Sequence, residues 1–213
     1  MIFRLEKLVP LPMIELSKAE SSVWEADSFE FVQGKKYLAE AASGKGKTSL
    51  LSIMYGLRKD FNGMFFIDEI SALNYNSKKW SHLRKERVSF IFQGLELFDE
   101  LTAMDNILLK NKITGYKSKQ QIMAMAERLD VEIYLKKKCM YLSFGQKQRI
   151  AILRSLCQPF NFLFADECFS HIDRLNSSNA MLLIKEQCEQ QGAGLIFTSL
   201  GNTEYAFDYR LSL

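Results

Sequence analysis

The chain has 213 residues, 47% hydrophobic and 25% charged, the balance of an ordinary globular protein. That composition excludes a disordered tail, a collagen-like repeat and a low-complexity linker. The 28 Lys and Arg against 25 Asp and Glu leave a formal charge of +3, too small to point to a nucleic-acid partner. No stretch reaches the ~20 apolar residues of a membrane-spanning helix. Arg4, Glu6 and Lys7 interrupt the start, where a secretion signal needs an unbroken apolar run. Cys139, Cys157, Cys168 and Cys188 contain no C-x-x-C pair, and there are two histidines. Reduced thiols in the cytoplasm are therefore expected, with no cysteine- or histidine-based metal centre.

Strand-type runs open the chain at 3–8, 28–32 and 36–41. Gly34 and Lys35 between the last two predict a short antiparallel hairpin. A helical pattern starts at Lys47, with Leu50, Leu51 and Met54 on one side. Further strands are predicted at 64–68, 88–92, 160–165, 194–198 and 208–213, and helices at 118–129, 145–157 and 173–191. The segment of about 95–142 reads as a helical subdomain within a single domain spanning 1–213. No further regulatory domain is expected after it. The alternation beyond Lys36 predicts an α/β fold with a mostly parallel central sheet. Lys136-Lys-Lys138 and the basic stretch around Trp80 read as solvated surface.

The run 36–41 ends in Ala42-Ser-Gly-Lys-Gly-Lys-Thr48. With Ala41 first, this is the P-loop pattern [AG]-x-x-x-x-G-K-[ST]. Gly44 and Gly46 let the backbone turn its N–H groups around phosphate oxygens. The following helix aims its positive end at the same anion. Ala42, Ser43, Gly44, Lys45, Gly46, Lys47, Thr48 and Ser49 are thus the candidate phosphate cradle. Lys47 supplies charge, and the Thr48 hydroxyl is placed to ligate Mg²⁺. A second motif is the apolar run Phe160-Asn-Phe-Leu-Phe-Ala-Asp-Glu167. A buried strand ending in two carboxylates sets them at the sheet edge where ligands bind. Asp166 is the candidate Mg²⁺ holder and Glu167 the candidate general base for water.

With these motifs in place, the chain resembles the nucleotide-binding domain of ATP-binding cassette (ABC) proteins. Leu142-Ser-Phe-Gly-Gln-Lys-Gln-Arg149 is similar to the family's signature, Ile91-Phe-Gln93 to its Q-loop and Phe164-Ala-Asp-Glu167 to its Walker B. Ser170-His-Ile-Asp173 is similar to its D-loop. The segment from Glu96 to Ile107 is similar to the lipoprotein-release, macrolide-export and cell-division group. The resemblance implies a P-loop NTPase with an N-terminal antiparallel β subdomain and an inserted helical subdomain. It implies a head-to-tail homo- or heterodimer sandwiching two ATP molecules. Ser143, Gly145 and Gln146 would then face the γ-phosphate held by the partner. Gln93 would ligate Mg²⁺ or water and report nucleotide state to an integral membrane permease-type subunit facing 95–113. The chain would lie on the cytoplasmic face of that membrane.

Four positions depart from the family pattern. Phe144 replaces the first signature glycine, and Cys168 replaces the proline after Glu167. Ser199 stands among the catalytic residues at the switch-histidine position, where a hydroxyl cannot carry positive charge. The region from Leu8 to Ile14 has no aromatic to stack on adenine, and Trp24 is out of register. The expectation is MgATP binding with slow hydrolysis that drives transport or a conformational signal. The alternative is a catalytically weak regulatory cassette, the degenerate half of a heterodimer. The 96 positions between Lys47 and Ser143 leave no room for the coiled coil of repair-type cassettes.

Overall fold

The structure is a computed structural model and describes residues 1–14, 21–24, 26–201 and 203–213. The strands are β1 (Ile2–Pro10), β2 (Phe29–Val32), β3 (Lys36–Glu40), β4 (Phe61–Ile67), β5 (Ile70–Ser71), β6 (Val88–Ile91), β7 (Phe162–Asp166), β8 (Gly194–Ser199) and β9 (Tyr209–Ser212). The α-helices are α1 (Lys47–Met54), α2 (Ser77–His82), α3 (Ala103–Thr114), α4 (Lys119–Arg128), α5 (Phe144–Ser155) and α6 (Arg174–Gln190). One sheet runs β2-β1-β4-β5 and the other β6-β7-β8-β3-β9. Every pairing in the first is antiparallel and every pairing in the second parallel. The predicted parallel sheet and antiparallel N-terminal layer are both present.

The hairpin expected around Gly34 and Lys35 does not form. β2 pairs with β1, Ile2 opposite Val32 and Leu5 opposite Phe29, whereas β3 lies between β8 and β9. The turn chemistry is that of a hairpin: Gly34 has φ +85° and the Lys35 N–H donates to the Val32 carbonyl at 3.2 Å. What decides the pairing is burial. Tyr37, Leu38 and Ala39 are all buried, a continuous run that suits the middle of a parallel sheet covered on both faces. The turn therefore hands the chain from one sheet to the other.

The two layers meet through aromatic rings. Phe3 of β1 lies 5.1 Å from Phe162 and 5.7 Å from Phe164, both on β7. Phe90 of β6 meets Phe164 edge-on at 5.9 Å. The opposite face of the parallel sheet carries an aliphatic core in which Leu163 and Leu195 join Ile107 of α3, Ile122 of α4 and Ile150 of α5. The later helices begin where their sequences offer caps: Ser118 and Ser143 form capping boxes with Gln121 and Gln146, and Asp173 accepts from the Asn176 N–H. All four cysteines are free and buried, and burial pushes the Cys157 and Cys188 thiols up to about 12. Among the described residues no helix is long and apolar enough to cross a membrane. The parallel order places the C-terminal ends of β3, β6, β7 and β8 along one edge, and the candidate residues sit there.

Candidate active site

The loop after β3 owes its shape to two glycines in the left-handed region, Gly44 at φ +81° and Gly46 at φ +92°. Gly46 is constrained twice, because a Cβ there would come within 2.3 Å of the Met13 sulfur. Gly46 caps α1 without a side-chain hydrogen bond, so the first-turn amides of Lys47, Thr48 and Ser49 face the loop's hollow. The Lys47 Nζ donates to the carbonyls of Ala41 at 2.6 Å and Ala42 at 3.1 Å. It also lies 3.2 Å from Glu167 Oε1, and Lys47 is only 4% exposed. The Ser49 hydroxyl instead accepts from Arg58 at 2.6 Å, so only the backbone of Ser49 is turned to the loop. The indole of Trp24 donates to the Lys45 carbonyl at 3.5 Å and supports the loop from the core side.

The end of β7 supplies the facing carboxylates. Asp166 is buried and accepts from the Thr198 hydroxyl at 2.7 Å. Burial raises its pKa, hydrogen bonds from Thr198 and Thr48 oppose the rise, Glu167 adds to it and Lys47 offsets it. Glu167 adopts φ +44°, a conformation that costs a non-glycine residue about 1 kcal/mol. Strand alternation would send Glu167 to the face opposite Asp166; the left-handed turn brings it round to the loop. Its N–H is held by Thr198 Oγ1 at 3.1 Å, and its second oxygen accepts from Gln93 Nε2 at 3.1 Å. Ser43, Gly44, Lys47, Thr48, Gln93 and Glu167 line one cavity of about 240 Å³, with Pro12 and Met13 on its rim. Thr48, Gln93 and Asp166 present hard oxygen donors. Among the described residues no three His, Cys, Asp or Glu cluster as an all-protein cage. That donor set fits Mg²⁺, which keeps waters and takes most ligands from phosphates.

Other candidates lie apart from this cavity. Ser199 ends β8 beside Glu167, but its hydroxyl donates to the Gly201 carbonyl at 2.8 Å. Both residues line a second cavity of about 370 Å³. Ser143, Gly145 and Gln146 lie in a third hollow together with His171, and within one chain they are not brought to the P-loop. Ser143 caps α5, accepting from the Gln146 N–H at 3.3 Å. A Cβ on Gly145 would come within 2.7 Å of the His171 carbonyl, so this glycine lets the 170–173 turn pack closely on α5.

Three residues of the site escaped the sequence reading. Thr198 ties Asp166 to Glu167; the one signal for it is a hydroxyl at the last buried position of the strand beside β7. Met13, in the segment 8–14 that has no aromatic, lines the P-loop cavity beside Gly46. Arg154, buried on α5, donates to the Leu95 carbonyl at 2.6 Å and to the Glu96 carbonyl. Leu95 and Glu96 are both left-handed, at φ +62° and +51°, so Arg154 fixes the bend that follows Gln93. No spacing rule announces such a contact 59 positions away.

Lys110 of α3 feels the charge of Arg154 and has no hydrogen-bond or ion-pair partner among the described residues. Burial and then the charges of Arg154 and Arg84 hold its pKa down at about 8. An unfolded lysine titrates at about 10.4. Between those values the unfolded chain binds the extra proton, so this group's contribution rises with pH; below about 8 it destabilises fully. Lys110→Met is expected to stabilise the fold by on the order of 1–2 kcal/mol at pH 7, with the gain shrinking towards pH ~10. Urea denaturation midpoints at the two pH values check this.

The amide-lined loop before α1, the acidic end of β7 and the parallel sheet define a P-loop nucleotide-binding protein. The chain belongs to the ABC transporter family, which it matches over residues 25–170. It is 30% identical over 166 residues to the lipoprotein-releasing system ATP-binding protein LolD of Saccharophagus degradans, covering 76% of this chain and 73% of that protein. It is 31% identical over 185 residues to the putative hemin import ATP-binding protein HrtA of Staphylococcus epidermidis, covering 84% and 82%. Its fold matches that of a dimeric bacterial ABC transporter cassette with TM-score 0.76 and 22% identity, over 94% of this chain and 88% of the other. A cassette dimer bound to ADP and Pi matches with TM-score 0.74 at 24% identity, over 93% and 88%.

Proposed function

We propose that the chain binds MgATP between the P-loop of one copy and the signature helix of a second, and hydrolyses it slowly to drive an integral membrane permease-type subunit. The observation that carries this is the convergence of Lys47, at 3.2 Å, and Gln93, at 3.1 Å, on the Glu167 carboxylate at the mouth of the P-loop, with Asp166 and Thr48 behind it. Loop amides and Lys47 grip the phosphates. Glu167 accepts the proton of the attacking water, and Gln93 holds the carboxylate for that task. Mg²⁺, held by Thr48 and Gln93 with Asp166, would neutralise phosphate charge. The base rests against Pro12 and Met13, a surface less selective for adenine than a ring, so ATP and GTP are bound with similar affinity. The helical segment of about 95–142 acts as a subdomain within one unit, and its 95–113 face meets the membrane subunit.

The relatives are ATP-binding subunits of lipoprotein-release and hemin import systems, which supports a membrane partner and a place on the cytoplasmic face. Phosphate release by the purified chain tests the enzymatic reading; a chain that binds ATP without turnover would fit the degenerate half of a heterodimer. The departures at Phe144 and Ser199 favour that second reading; intact Lys47, Asp166 and Glu167 oppose it. With a serine where an imidazole would polarise the γ-phosphate, Ser199→His is expected to raise kcat several-fold while leaving the affinity for ATP unchanged. An unchanged steady-state rate would remove Ser199 as the cause of slow turnover.

A further inference from the structure

The sequence contains two histidines, and His82 lies on α2, paired with Glu86 at 3.7 Å. His171 is placed differently. Its ring packs edge-on against Phe144, 4.4 Å between centroids, at the start of the signature helix. It lines the hollow with Ser143 and Gly145, not the cavities beside Glu167 of its own chain. Its position is built rather than incidental. The buried Gln148 of α5 accepts from the His171 N–H at 3.1 Å and donates to the Ser170 hydroxyl at 3.1 Å. Ser170 Oγ lies 2.9 Å from His171 Nδ1. Where Ser170 gives its hydroxyl proton to Nδ1, the ring carries its own proton on Nε2, which has no hydrogen-bond partner among the described residues. Meanwhile the end of β8 has no imidazole, Ser199 is tied to Gly201, and a cavity lies open between Ser199 and Glu167.

The geometry points to His171 of a second copy as the imidazole of this site: in the dimer, Nε2–H reaches the γ-phosphate of the nucleotide held by the first copy's P-loop. This rests on the dimeric MgATP reading above and deepens it. In the step, the water oxygen bonds to Pγ and the bond from Pγ to the bridging oxygen breaks. The electron pair leaves on ADP and the water's proton passes to Glu167. The imidazole donates only a hydrogen bond to an equatorial oxygen and keeps its proton. It offsets part of what Ser199 lacks.

The test is complementation between copies, read as phosphate release and as ATP affinity by calorimetry. His171→Ala is expected to lower kcat about 10–100-fold with an unchanged dissociation constant. Lys47→Ala subunits hold ATP only weakly but still present His171. Mixed 1:1 with His171→Ala subunits, they rebuild one complete site in each mixed dimer. With random pairing the mixture is expected to recover about half the rate of a matched Lys47→Ala and wild-type mixture, which also contains wild-type dimers with two complete sites. Ser199→His is expected to restore His171→Ala by a larger factor than it gains in the wild type. His171→Ala at the parental kcat, or a mixture no faster than its components, would overturn the inference and leave the MgATP reading intact. Wild-type protein that neither dimerises with ATP nor releases phosphate would overturn both.

Discussion

Lys47→Ala is expected to weaken MgATP binding by 100-fold or more, about 3 kcal/mol, on the scale of losing a buried charged donor to an anion. The reasoning is local. Lys47 is held by the Ala41 and Ala42 carbonyls and by Glu167, so its ammonium is preorganised at the one point where loop amides, carboxylate and Gln93 meet. Alanine leaves the amides of α1 but removes the lysine that, among the described residues, lines that cavity, and it leaves Glu167 facing the phosphates without the ammonium between them. Binding falls both by the lost attraction and by the repulsion exposed. The fold should persist, because Gly44 and Gly46 shape the loop whatever follows them. Isothermal titration of ATP with Mg²⁺ reads the effect. Parental affinity in a folded Lys47→Ala protein would mean that the triphosphate is held elsewhere.

The parts of this site that were legible in the sequence are those in which chemistry is carried by neighbours along the chain. Gly44, Gly46, Lys47 and Thr48 form one turn, and Asp166 and Glu167 one strand end, so spacing alone announces them. Pairing between strands is less visible. The Gly34 turn has the composition of a hairpin, yet the outcome was set by a third party: β8 and β9 bury both edges of β3. Contacts made across the fold leave no local trace. Thr198 bridges Asp166 and Glu167 because β8 is the neighbour of β7, and Arg154 reaches the carbonyls after Gln93 because α5 passes beneath them. Glu167 shows a third kind of hidden information. Its identity is evident from the run of residues, but its left-handed turn, which aims the carboxylate at Lys47, follows from Thr198 gripping its amide.

Glu167→Gln is expected to lower kcat by about 10²–10⁴ while keeping, or tightening, the binding of ATP. Glutamine preserves the size of the side chain, tolerates the same backbone turn as glutamate and still accepts from Gln93 Nε2, so geometry changes little. What disappears is the group that takes the water's proton. The same change alters the charge balance around Lys47. With Glu167 neutral, the nearly buried ammonium keeps its two carbonyl acceptors and the more distant Asp166 but loses its ion-pair partner, which costs on the order of 1–3 kcal/mol when no anion is bound. A triphosphate restores that charge, and without a carboxylate competing for Lys47 it does so more completely than in the wild type. The variant should therefore unfold at lower temperature than the parent without nucleotide, and gain more from saturating MgATP. Thermal denaturation with and without ATP, alongside single-turnover phosphate release, separates this account from a simple loss of structure. A variant that hydrolyses ATP at the parental rate would move the base to another group, and one that loses ATP affinity would make Glu167 a binding residue rather than the acceptor of the water's proton.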